Sequence, residues 1–79
     1  MRSRTQDRTD AAAMRLIIMS RQCPTNDMLA AAIGARGAAA GAAALKRLEA
    51  SGQITIERSN GWRVVRETQY GSMREGPDE

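Results

Sequence analysis

Residues 34–52 read GARGAAAGAAALKRLEASG, and the fold turns on what this stretch becomes. Between Arg36 and Leu45 it holds only alanine and glycine, then it ends in an amphipathic turn. Gly41, Ala44, Leu45 and Leu48 recur at helical spacing, so the pattern predicts a helix over 37–51 that Gly52 stops. A glycine inside a helix costs about 1 kcal/mol against alanine. Gly41 is therefore expected to face inward, where a second helix comes close. The outward face then carries Arg36, Gly37, Ala39, Ala42, Ala43, Lys46 and Arg47.

Working toward the N-terminus, Pro24 and Thr25 open a second helix over 26–33. Thr25 is its N-cap, Asn26 and Asp27 lie in the first turn, and Gly34 closes it. Met28, Leu29, Ala32 and Ile33 form its expected buried stripe. A first helix is expected from Thr9 or Asp10 to about Arg21, burying Ala13, Met14, Ile17 and Ile18. Working toward the C-terminus, QITIE alternates with Ile54 and Ile56 on one side, SNG supplies a turn, and WRVVRE returns as a second strand. Three helices followed by a ribbon make an α+β fold: a small winged helix-turn-helix with a two-stranded β-hairpin wing. Residues 8–68 would form this domain, between a flexible basic tail over 1–7 and a flexible acidic tail over 69–79.

Seventy-nine residues allow one small domain, of a size that buries only about 60% of its unfolded surface. There is no Phe and only one Trp and one Tyr. The core must come from Ala, Ile, Leu, Met and Val, which favours close helix packing over a large ligand pocket. One Cys and no His exclude an internal disulfide and argue against zinc. Cys23 reads as a packed thiol before Pro24. No catalytic constellation is visible, so neither an enzyme nor a cofactor is expected. The longest apolar run, MRLIIM, is too short for a membrane span and contains Arg15. A cytoplasmic, nucleoid-associated protein is the expectation. The formal charge is +3, and eleven of the twelve basic residues are Arg, the side chain best suited to phosphate and guanine edges.

The run PTNDMLAAAIGARGAAAGAAALKRLEASGQITI resembles the N-terminal DNA-binding domain of LexA-type repressors. The shared features are the Pro-Thr opening, the small residues of helix two and the turn, and the Leu-Lys-x-Leu…Gly…Ile ending. The resemblance spans about residues 8–66. It implies a winged fold, double-stranded DNA as partner, Thr25 against phosphate and Lys46 on the outer face of the recognition helix. Where that family reads bases, this chain has Gly37, Ala39, Ala40, Ala42 and Ala43, so base readout does not carry over.

Guanine readout needs Arg, and only Arg36 at the start of helix three offers it easily. The expected interface therefore combines Thr25, Asn26, Arg36 and Lys46 with a wing bearing Arg58, Ser59, Asn60 and Arg63. Arg58 and Arg63 are candidates for the minor groove. Specificity would be modest and affinity dominated by phosphates. Trp62 is expected to pack against helix three or the ribbon. The alternative is a protein-interaction module that offers its Ala/Gly helix face to a regulatory partner, or helix one to a second copy in a homodimer.

Overall fold

The computed structural model describes residues 4–79, with side chains from Asp7 onward. Three helices precede three antiparallel strands: α1 (Arg4–Met19), α2 (Asn26–Ala32), α3 (Ala38–Ala50), β1 (Ile54–Ser59), β2 (Trp62–Glu67) and β3 (Met73–Pro77). The sheet order is β1-β2-β3. This small α+β architecture is compatible with a winged helix, with a wing of three strands instead of two. Among the described residues no helix is long and apolar enough to cross a membrane.

α1 departs from expectation at both ends. It begins by Arg4, so Thr9 and Asp10 lie inside the helix and do not cap it; residues 1–3 lie outside the described part. No Gly or Pro interrupts residues 4–9, and Asp7 in the first turn complements the helix dipole. It ends at Met19, where the Ser20 hydroxyl donates back to the Leu16 carbonyl at 2.5 Å. No basic residue occupies the last turn. Instead Arg74, from β3, donates to the carbonyls of Ser20 (3.1 Å) and Ile18 (2.9 Å) and supplies the positive charge that a helix C-terminus favours.

The expected flexible tail over 69–79 is overturned most plainly, because Met73–Pro77 is a strand. Its far edge is tied to the loop between α1 and α2: the Cys23 N–H donates to the Glu75 carbonyl at 3.0 Å. Gly76 permits that approach, since a Cβ there would stand 3.2 Å from the Cys23 carbonyl oxygen. Further on, the Asp78 N–H donates to Gly61 and the Asn26 N–H to the main-chain oxygen of Glu79, both at 2.8 Å. Pro77 is tolerated because β3 is an edge strand.

The core joins Ala13 and Ile17 of α1, Leu29 of α2, and Ala44, Leu45 and Leu48 of α3 to Ile54, Val65 and Cys23. On α2 the stripe is rotated from expectation: Leu29 and Ala30 are buried, whereas Met28 and Ala32 face solvent. Ile18 is likewise half exposed. The α3 stripe of Gly41, Ala44, Leu45 and Leu48 is buried as its spacing predicts.

Candidate nucleic-acid interface

α2 and α3 pack face to face through small residues. A Cβ on Gly41 would lie 2.6 Å from the carbonyl carbon of Asn26, 2.9 Å from its Cα, and inside its oxygen. No side chain fits there, so the glycine sets how closely the two helices approach. Thr25 caps α2, its hydroxyl accepting from the Met28 N–H at 3.1 Å. Between the helices the chain turns through Gly34 and Gly37, both at positive φ.

Seating α3 this way leaves Gly37, Ala39, Ala42, Ala43 and Lys46 on its exposed side, with Arg36 exposed just before it. Arg36 and Lys46 make no ion pair among the described residues. Arg47 behaves differently from expectation. Its Nε pairs at 3.0 Å with the Asp10 carboxylate, itself almost wholly buried on α1. That contact turns Arg47 off the outer face and locks α3 to α1.

The hairpin joining β1 to β2 turns at Asn60 and Gly61, with φ of 53° and 76°. Two left-handed residues in a two-residue loop define a type I′ turn, which Asn-Gly favours strongly. The turn pairs Ser59 with Trp62, and the register continues through Arg58–Arg63, Ile56–Val65 and Ile54–Glu67. Those last three pairs share the face turned toward the helices, because Ile54 and Val65 lie in the core.

Arg63 is thus carried inward and is 1% exposed, so it is no part of a DNA-facing wing tip. Its guanidinium donates to Pro24 O (2.7 Å), Asn26 Oδ1 (2.8 Å), Cys23 Sγ (3.2 Å) and Asp78 Oδ1 (3.3 Å). A planar fork with five donors suits so many acceptors in one place. Asn26 is consumed in the same way, its side-chain oxygen turned to Arg63. Trp62 alternates to the outer sheet face opposite Pro77, where it is 45% exposed. Arg66, on that outer face, donates to the Gly71 carbonyl and the Met73 sulfur.

Arg58 stays at the surface, and its Nε meets the Asp78 carboxylate at 3.2 Å. Ser59, Asn60 and Gly61 are exposed beside it. The structure therefore keeps Arg36, Lys46, Arg58 and the hairpin tip outward, and it withdraws Asn26, Arg47 and Arg63. Three residues absent from the sequence reading organise the far side: Arg74 of β3, which bonds the end of α1; Asp78, which bonds Arg58 and Arg63; and Glu67 at the end of β2, which accepts from the β2–β3 turn.

Glu67 is 2% exposed and accepts from the Tyr70 N–H and the Ser72 N–H at 3.0 Å, and from the Ser72 hydroxyl at 2.9 Å. Those donors, the Tyr70 N–H foremost, hold its carboxyl below the ordinary glutamate value of 4.5 despite burial. The signal that could have placed Arg63 and Glu67 inward was the two-residue Asn-Gly turn. Counting back from it sets Ile54 and Ile56 opposite Glu67 and Val65.

No family model, no curated protein and no solved structure matches this chain.

Proposed function

We propose that the chain is a DNA-binding regulator of winged helix-turn-helix form, with α3 in the major groove and the hairpin beside the backbone. The observation that carries this reading is the free side of α3. Its core-facing stripe is locked by Gly41, Arg47 and the leucines, while Arg36 and Lys46 flank an outer surface of nothing larger than alanine. Such a surface lets the helix backbone sit deep in a groove, with alanine methyls available to thymine methyls. Base discrimination is correspondingly small, and phosphate neutralisation by Arg36, Lys46 and Arg58 supplies most of the affinity.

The test is binding to a short random-sequence duplex across a salt series. Each phosphate contact contributes a log–log salt slope of about 0.9 on duplex DNA. Arg36→Ala with Lys46→Ala should flatten the slope by about 1.8 and weaken binding alike on every sequence. No binding by the unaltered chain at low salt would sink the proposal.

A partner-binding reading has one observation in its favour. Ile18 and Met19 are 50% and 78% exposed side by side at the end of α1, an apolar pair that a second copy or a regulatory protein would cover. Sedimentation of the chain alone decides the first form: a monomer at high concentration removes the homodimer.

A further inference from the structure

We infer that Asp78 is an internal competitor for the wing. Its carboxylate holds the position on Arg58 that a nucleic-acid phosphate would take, so the C-terminal segment of the chain regulates its own duplex affinity. This rests on the DNA-binding reading above.

The geometry is specific to this one acid. The Asp78 N–H is bonded to the Gly61 carbonyl at 2.8 Å, which fixes the residue beside the hairpin turn. From there its Oδ1 and Oδ2 each lie 3.2 Å from Arg58 Nε, an arrangement like that of a phosphate with two oxygens on one guanidinium. Among the described residues Arg58 is the only cation of the β1–β2 hairpin tip left at the surface, since Arg63 is buried. Occupying Arg58 therefore removes the one charge the hairpin tip can offer to DNA.

The contact is also built to exchange. The side chains of Arg58 and Asp78 are 48% and 27% exposed, and ion pairs so open to water are weak. Opening the Arg58 contact does not require leaving Arg63: Asp78 Oδ1 keeps its 3.3 Å bond there beside Cys23, Asn26 and Pro24, so the buried hub survives the swap.

Asp78→Asn tests this directly, because asparagine keeps an oxygen for Arg63 and the main-chain bond to Gly61 while it removes the negative charge that competes for Arg58. Glu75→Gln is the control, with the same charge change on β3 but no bond to Arg58. Freeing one phosphate contact predicts binding about five- to tenfold tighter near 0.1 M salt and a log–log salt slope steeper by about 0.9 for Asp78→Asn. Glu75→Gln should change affinity less than about twofold, as expected of a distant screened charge. In an Arg58→Ala background the Asp78→Asn gain should vanish. Asp78→Ser, which keeps the main-chain anchor, replaces Asp78→Asn if circular dichroism finds the latter unfolded. Equal gains in Asp78→Asn and Glu75→Gln, or a gain that persists without Arg58, would overturn the inference and leave the DNA reading standing. Absence of binding by every variant at low salt would overturn both.

Discussion

Gly41 is where two physical effects give opposite predictions for one substitution. By helix propensity alone, Gly41→Ala in the middle of α3 should stabilise the chain by about 1 kcal/mol. The structure reverses the sign. The added Cβ would sit inside the Asn26 carbonyl oxygen and 2.6 Å from the carbonyl carbon, and these are backbone atoms that cannot rotate away. α3 would have to slide off α2, its most extensive helix neighbour, and take Leu45 and Leu48 with it. Overpacking of a tight core costs typically about 1–3 kcal/mol and sometimes more. A clash with main chain belongs at or above the top of that range. Setting about 3 kcal/mol against the propensity gain leaves a net loss of about 2 kcal/mol. For a domain of this size that lowers Tm by about 8–16 °C. Thermal and urea unfolding followed by circular dichroism measure it, with Ala42→Gly on the exposed side of the same helix as calibration. Ala42→Gly should lose about 1 kcal/mol by propensity. A Gly41→Ala protein as stable as the unaltered chain, or more so, would refute the close approach of α2 and α3 and the seating of α3 derived from it.

The other predictions concern buried charge. Arg63→Lys keeps the charge but not the fork, so it strands acceptors at Pro24 and Asn26 and should cost about 2–3 kcal/mol in urea unfolding, with the salt slope of duplex binding unchanged. Undiminished stability would refute the buried hub and return Arg63 to the wing surface. Glu67 has a folded-state pKa below its ordinary value of 4.5, so its contribution is complete above about that pH and is lost as the pH falls through the lowered value. Glu67→Gln should therefore show a shallower loss of stability on acidification than the unaltered chain. Parallel acid limbs would mean that the carboxylate is not held by the Tyr70 and Ser72 N–H groups.

How far the fold could be read from the sequence depended on whether the decisive contact was local. The buried stripe of α3 follows from 3.6-residue spacing, and the Thr25 cap from its neighbours within three residues. The Asn-Gly hairpin is equally local, because its positive φ angles are a property of two residues. α1 starts earlier than expected and stops at Met19, short of Arg21, and the reason at that end is non-local: its C-terminal carbonyls are answered by Arg74, far along the chain. β3 was hidden because its composition, with Gly76 and Pro77 among charged residues, argues against a strand. Both exceptions are explained only by neighbours, the Cys23 backbone beside Gly76 and the open edge at Pro77. In β2 the more hydrophobic alternate set is Trp62 and Val64, yet the sheet buries Arg63, Val65 and Glu67. Register outweighed side-chain hydrophobicity there, because the turn had already set Ile54 and Ile56 opposite Glu67 and Val65 on the core-facing side.

This inversion changes what the arginines of the chain are for. An arginine-rich basic sequence invites the reading that its cations form one DNA-facing field. In the folded chain, Arg47, Arg63 and Arg74 each tie together segments remote in sequence: α3 to α1, β2 to the loop before α2, and β3 to the end of α1. A chain without Phe and with a core of alanine and short aliphatics has little apolar area to hold these elements in place. Multi-donor guanidinium hubs do that positioning work through directional bonds instead. Around α3 and the hairpin tip, the cations left for a polyanion are Arg36 just before α3, Lys46 on it and, once Asp78 yields, Arg58. Removing a structural arginine should then move stability and leave the salt slope alone, whereas removing Arg36 or Lys46 should do the reverse. That separation is sharper than any division by position in the sequence, since Arg58 and Arg63 face each other across one strand pair and fall on opposite sides of it.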